Sequence, residues 1–226
     1  MKKLMFFSLL AIIGFMSFTP KPAPTTFKVD VDKSTFKWIG KKVTGSHNGF
    51  IKFSAGSISV EKGALVGGSF TVDMNSMNCA DLEAGKGAEK LMGHLKSDDF
   101  FGTEKFPTAT MTIKSATAKG GNQYDVKADL TIKGQTNEVM FPATVTVAGG
   151  ALTATANFNI DRTKYGIRYG SGSFFENLGD KAISNDFNVE INLAATGDAP
   201  AAAVAAPVKA APKKLKAKGK KATGTK

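Results

Sequence analysis

One cysteine, one tryptophan and two histidines stand in a chain of 226 residues. A lone Cys79 cannot close an internal disulfide, so the fold must stand on its core rather than on covalent staples. With neither histidine near it in sequence, Cys79 is expected as a small buried apolar residue rather than a nucleophile. His47 and His94 lack metal-ligand spacing, and Asp98–Asp99 is an adjacent pair rather than a convergent one. H-E-x-x-H, G-x-S-x-G and P-loop patterns are all missing. "YGSGSF" at 169–174 has glycines but no strand–turn–helix setting, so it is expected as a flexible loop, not a phosphate cradle. No catalytic residue, metal or organic cofactor is therefore expected, and the chain does not read as an enzyme.

Positive charge is abundant in total and scarce where it would matter. The formal net charge is +11, yet residues 197–226 hold eight lysines against one aspartate, and residues 1–26 hold three lysines and no acid. The stretch 27–196 is left with 19 basic and 18 acidic residues. No basic stripe remains there to neutralise phosphates, so specific nucleic-acid binding is not expected.

The ends explain the asymmetry. "MKKLMFFSLLAIIGFMSF" sets two lysines before an apolar run that is short for a membrane span. It reads as a secretory signal peptide, so residues 1–26 are taken as signal and linker, and a periplasmic or secreted bacterial protein is expected. The 197–226 tail is Ala, Pro and Lys with almost no bulky apolar residue; it cannot offset its ordering entropy and is expected to be disordered. Such a tail suits either contact with an anionic membrane or envelope polymer, or simple solubilisation.

Between these ends the dominant signal has period two. "YDVKADLTIKG" places Tyr124, Val126, Ala128, Leu130 and Ile132 on one face and charged or hydroxyl residues on the other. The same alternation predicts Val66, Phe70, Val72 and Met74 inward, then Val139 to Val147, Leu152 to Ile160 and Phe187 to Leu193. Gly120–Gly121 and Gly149–Gly150 read as hairpin turns, with weaker signals at Lys62–Gly63 and Gly134–Gln135. Eight antiparallel strands follow, at 34–43, 48–60, 64–74, 108–117, 122–133, 137–148, 151–160 and 185–195. Long strands joined by tight turns close most simply into a barrel, which removes exposed edges; a two-sheet sandwich is the alternative.

The long connection between strands three and four breaks the alternation. Ala88, Leu91, Met92 and Leu95 fall at helical spacing, a short amphipathic helix weakened by Gly87 and Gly93. It is followed by "HLKSDDFFGTEKFPTATM", in which Phe100, Phe101 and Phe106 stand where a polar connection would be ordinary. Connections of this length inside compact domains tend to be functional or to cap something.

Over residues 27–195 the chain resembles the YceI-like family of secreted, lipocalin-like barrels. The resemblance is carried by "WIGKKVTGSHNGFIKF", "GGSFTVDMNSM", "GHLKSDDFFGTEKFPTATM", "ADLTIKGQTNEVMFP" and "NFNIDRTKYGI". It implies an all-β fold, an eight-stranded antiparallel barrel with one short helix, and a polyisoprenoid or similar lipid held in the lumen. The lysine tail lies outside that pattern.

Residue faces and resemblance lead to one set of expectations. Phe70, Val72, Met111, Leu130, Phe141 and Phe158 point into the lumen. Phe101 stands at the rim with Phe100 and Phe106 behind it, unless the three rings only pack the helix onto the barrel. Arg162 meets an anionic head group, or else pairs with a neighbouring carboxylate. The cargo is an isoprenoid quinone, a polyprenyl phosphate or a fatty acyl derivative, carried or stored by a monomer or a homodimer. The competing reading is a filled barrel, an envelope interaction or stress protein acting through its basic tail. Deleting the tail is expected to leave the thermal unfolding midpoint nearly unchanged; a large fall in a melting curve would mean that it packs on the body.

Overall fold

In the computed structural model the described residues are 23–197; residues 1–22, within the segment expected to be signal and linker, and the lysine tail beyond Gly197 lie outside them. Nine strand segments follow one another: β1 (Thr25–Val29), β2 (Thr35–Lys42), β3 (Gly45–Glu61), β4 (Ala64–Asp73), β5 (Thr108–Gly120), β6 (Gln123–Ile132), β7 (Gln135–Ala148), β8 (Ala151–Asp161) and β9 (Ile183–Gly197). A single α-helix among the described residues, α1 (Ala88–Lys96), lies between β4 and β5. Consecutive strands from β2 to β9 pair antiparallel, and β9 returns to pair with β2. The sheet is thus a closed ring of eight positions, a barrel and not a sandwich.

The ninth segment shares a position. β1 pairs with the second half of β3, from Thr25 against Val60 to Lys28 against Ser57, and with the end of β9. β2 pairs with the first half of β3 and the start of β9. β1 and β2 are therefore one edge-to-edge position, interrupted by a step. At the step Asp30 Oδ1 accepts the N–H groups of Asp32 and Lys33, both at 3.2 Å, and the Ser34 hydroxyl donates to the Asp30 carbonyl at 2.7 Å. With only Phe27 and Val29 inward, β1 is too short for its alternation to stand out. At the other end β9 runs through Gly197, whose N–H donates to the Gly150 carbonyl at 3.1 Å. Tail deletion is therefore made after Gly197.

Side-chain parity follows the pleat until a bulge resets it. Ser59 faces Gly67 and Val60 faces Leu65, so Val66 has no partner at the bulge. Leu65 is consequently 4% exposed and Val66 40% exposed, the reverse of the inward assignment of Val66. Beyond the bulge Phe70, Val72 and Met74 point inward as expected. A second bulge, between Phe53 and Ala55, flips β3 in the same way, so Ile51 and Phe53 share the interior with Ile58 and Val60. The hairpin turns sit close to their expected places. Gly149–Gly150 joins β7 to β8 with both residues at positive φ. Lys133–Gly134 also has positive φ at both residues, placing that turn one residue earlier than Gly134–Gln135. The β5–β6 turn is Gly121–Asn122, one residue later than expected, because Gly120 still pairs with Gln123.

The two ends of the barrel differ. Phe27, Ile58 and Leu152, each at most 2% exposed, fill the end where β1 lies. Across the other end lies α1, nine residues long and too short to be stable alone. Leu91, Met92 and Leu95 pack it on the core, yet none of its residues is fully buried. Lys96 Nζ donates to the Asn75 carbonyl at 2.7 Å, and Ser97 N–H caps the Gly93 and His94 carbonyls at 3.1 Å. The bulge assignment is checked by mutation: Leu65→Ala is expected to cost about 2–4 kcal/mol in denaturant unfolding, and Val66→Ala no more than about 0.5 kcal/mol. Equal costs would contradict the assigned faces.

Candidate functional site: a lidded apolar lumen

Under α1 the barrel is hollow. The cavity there has a volume of about 190 Å³ and a lining that is almost wholly apolar. Its walls are the inward side chains of the strands, and its roof is Leu91, His94 and Leu95 of α1 with Phe100 and Phe101 behind the helix. It reaches the surface beside Lys41 and Lys42, exposed residues at the end of β2. A lumen filled by its own side chains, the competing expectation, does not fit this space.

Of the side chains expected inside, Phe70, Val72, Met111, Leu130 and Phe158 line this cavity. Phe141 does not; it lines a smaller hollow further down the barrel and stacks on Phe158, with ring centroids 4.2 Å apart. Phe100 is 5% exposed and meets the His94 ring edge-on at 4.9 Å, while Phe101 is half-buried against Phe187 at 6.1 Å. Both rings line the cavity and both hold the helix on the barrel. Phe106 departs from the expected rim. Its ring lies on Gly134, where an added Cβ would come within 2.9 Å of it, so it wedges the β6–β7 turn outside the cavity.

The connection leading to the lid is fastened along β3. Beyond the end of β4, the free edge of β3 is covered by residues 76–81. Phe50 N–H donates to Asn78 Oδ1 at 2.9 Å, Ala80 N–H to the Asn48 carbonyl at 2.8 Å, and Lys52 N–H to the Ser76 hydroxyl at 2.8 Å. Trp38 lines the cavity and donates its indole N–H to the Asn78 carbonyl at 3.1 Å. That carbonyl sits 1.9 Å from where a Cβ on Gly49 would be, a contact only glycine permits. Asp81 completes the seam, accepting from Asn48 N–H and His47 Nδ1, each at 2.9 Å, and from Cys79 Sγ at 3.3 Å. Cys79 is thus half-exposed beside a carboxylate, not a core residue. Burial pushes the Asp81 carboxyl up, but these three donors outweigh it and hold it below its ordinary range.

Arg162 follows β8 in a 3₁₀ turn, Arg162–Tyr165, and is 3% exposed. Its expected carboxylate partner is replaced by main chain. Nε donates to the Ser184 carbonyl at 2.9 Å, Nη1 to Ile167 at 2.9 Å and Nη2 to Ile183 at 3.1 Å. The guanidinium ties the start of β9 to the loop after β8 and lies 5.6 Å from the Phe100 ring centroid. Burial lowers its pKa, and the Asp161 carboxylate opposes that shift. Three of its five N–H groups are used, so two remain on a cation that lines the cavity. Asp98 and Asp99 diverge: Asp98 pairs with Lys105, and Asp99 Oδ2 is 3.8 Å from His94 Nε2.

The profile of the YceI-like domain matches residues 27–195, which spans the whole ring and its lid. The chain belongs to the YceI-like family. Among sequence relatives, a UPF0312 protein of Staphylococcus aureus is 40% identical over 87 residues, covering 34% of this chain and 46% of that protein. One from Vibrio cholerae is 35% identical over 78 residues, covering 34% and 38%. The chain spans about half the length of the curated relatives it matches, or less. Among solved structures, the YceI-like barrel is similar to Burkholderia cenocepacia BcnA, with TM-score 0.61 and 24% identity over 74% of this chain and 99% of that one. It is also similar to a polyisoprenoid binding domain from Saccharophagus degradans implicated in plant cell wall breakdown, with TM-score 0.56 and 18% identity over 76% and 98%. At these identities the structural likeness establishes the fold.

Sequence reasoning missed Trp38 and Phe53 as cavity residues; Phe187 was expected on the inward face of its strand but not named as lining the site. The first had a usable signal, since Phe36 and Trp38 alternate with lysine and isoleucine in β2; the bulge hid the parity of Phe53. The Asp81 seam gives a test by pH. Its folded carboxyl titrates below the unfolded value of about 3.9, so its stabilisation is complete above that pH and is lost as pH falls through the folded pKa. Asp81→Asn is expected to lower stability at neutral pH by about 1 kcal/mol and to flatten the fall below about pH 4. A mutant curve parallel to wild type down to acid pH would remove Asp81 from the seam.

Proposed function

We propose that this YceI-like protein is a periplasmic or secreted lipid-binding protein that holds an isoprenoid or acyl chain in its lumen, for carriage or storage. The observation that carries this reading is the apolar cavity of about 190 Å³ closed over by α1. Such a space, lined by Phe, Leu, Ile, Val and Met, suits hydrocarbon and offers little to a polar solute. Each buried methylene contributes roughly 0.8 kcal/mol. Burying a chain of about fifteen carbons would give roughly 12 kcal/mol before association costs and leave an affinity near micromolar, which permits release; the cavity as it stands takes about half of such a chain, and the rest lies at the mouth or displaces α1. The leader-like N-terminus supports export, and the polyisoprenoid-binding description of a fold relative supports a lipid cargo.

The head group belongs at the mouth in this reading. Arg162 supplies a buried cation with spare donors, and Lys41 and Lys42 stand at the surface opening without ion-pair partners among the described residues. An anionic or strongly accepting head group is favoured over a neutral one. Phe101 forms the apolar wall at that opening, and α1 moves with it when a chain enters.

Protein purified without detergent is expected to yield a lipid on organic extraction and mass spectrometry. Trp38, the only tryptophan, lines the cavity, so its emission reports filling by geranylgeraniol or palmitate. Phe101→Ala is expected to weaken either ligand by about 1–3 kcal/mol. Unchanged Trp38 emission with every lipid offered, and an extract free of lipid, would reject the carrier reading. A lowered melting point with unchanged affinity would make Phe101 an anchor of the helix alone.

A further inference from the structure

The lumen is not one space. Below the main cavity lies a second apolar hollow of about 50 Å³, walled by Phe141 and Val145 of β7 and by the small side chains Ala154 and Ala156 of β8. Phe53, Phe70, Met111 and Ile191 line both hollows. They come from β3, β4, β5 and β9. In the ring β9 stands opposite β5, so these residues meet from facing walls. Phe70 and Met111 are cross-strand partners, and Ile191 pairs with Phe36 on one side and Ala156 on the other. At the same level the Phe158 ring, which lines the upper hollow, lies flat on the Phe141 ring, which lines the lower, with 10° between their planes. The barrel therefore has a waist.

Five of the six residues at this waist are rigid or tightly held. Phe53, Phe70, Phe141, Phe158 and Ile191 are each between 6% and 9% exposed, and four of them are rings. Met111 differs. Its side chain points inward and lines both hollows, and it is only half-buried. It is also unbranched, with a soft side chain that changes rotamer at little cost. Protein interiors rarely keep voids without reason. An apolar hollow of this size stays dry when nothing fills it.

We propose that this waist sets the longest hydrocarbon chain the lumen accepts, with Met111 as the length-determining residue. The inference rests on the carrier reading above. A chain entering beside α1 fills the main cavity and is stopped where Met111 closes the gap between Phe70 and the Phe141–Phe158 stack. The lower hollow is the space that a longer chain would take if Met111 were shortened.

The test uses the protein's barrel with its lid intact and a series of saturated fatty acids, from decanoate to tetracosanoate in two-carbon steps, titrated by Trp38 emission. In wild type, affinity is expected to rise up to about fourfold per added methylene and then level off at a break length. Met111→Ala moves the break to chains roughly two to four carbons longer, whereas Met111→Leu leaves it in place. Ala154→Leu, which fills the lower hollow, has no effect alone and returns the break of Met111→Ala to the wild-type length. Met111→Val, a milder truncation, serves if Met111→Ala does not fold, and is expected to move the break in the same direction. A break that stays put in a folded Met111→Ala or Met111→Val protein overturns the waist while leaving the carrier reading intact. So does a shortened break in Ala154→Leu alone, which would mean that chains already cross the waist. Binding of no chain length by wild type overturns the carrier reading, and the waist with it.

Discussion

Closure of the sheet between β9 and the β1–β2 position is the constraint on which the rest depends. It pairs the last two free edges, so the long antiparallel ladder ends nowhere and every inward side chain faces every other across a fixed girth. Eight positions give an interior just wide enough for side chains to fill or for one small ligand to occupy. Which of these happens is decided by residue size, level by level. Phe27, Ile58 and Leu152 fill one end. Towards the lid the same girth is lined by residues that do not reach across, and a hollow remains.

The step at Asp30–Ser34 and the bulges serve this closure. Without the step, β1 and β2 would be one strand of eighteen residues running past the twist of β3. The side-chain hydrogen bonds of Asp30 and Ser34 replace the ladder bonds lost there. Each bulge adds one unpaired residue, which bends the strand around the ring and inverts its parity. The inversion is what brings Phe53 and Ile58, five residues apart, to the same interior.

This also accounts for what could and could not be read from residues alone. Strands β6, β8 and β9 alternate without interruption, and their inward sets were legible to the residue. β4 was legible only beyond its bulge, since period-two reading carries one parity through and so placed Val66 inside instead of Leu65. β1 was invisible because five residues with two inward side chains give no periodic signal. The fate of the aromatic stretch was half legible. Composition showed that Phe100, Phe101 and Phe106 must be buried somewhere. Only the turn geometry after α1 sends the first two under the lid and the third outward onto Gly134. The resemblance to the family supplied the closed barrel, but it could not supply where the lumen narrows.

Lid and seam then follow from the ring's own mismatch in strand length. β3 outruns β4 at the hollow end, leaving the Asn48–Ile51 stretch with an edge that β4 does not cover. An exposed edge of that kind invites pairing with another chain. The connection from Ser76 to Asp81 covers it with backbone and side-chain hydrogen bonds, and in doing so launches α1 across the mouth. Because the helix is too short to hold itself and buries no residue completely, its place depends on the seam behind it and on Phe100 and Phe101 after it. A roof fastened at both ends and only half-buried along its length is the arrangement that opens at least cost. The bonds that cover the β3 edge are the same ones that set the cover over the lumen.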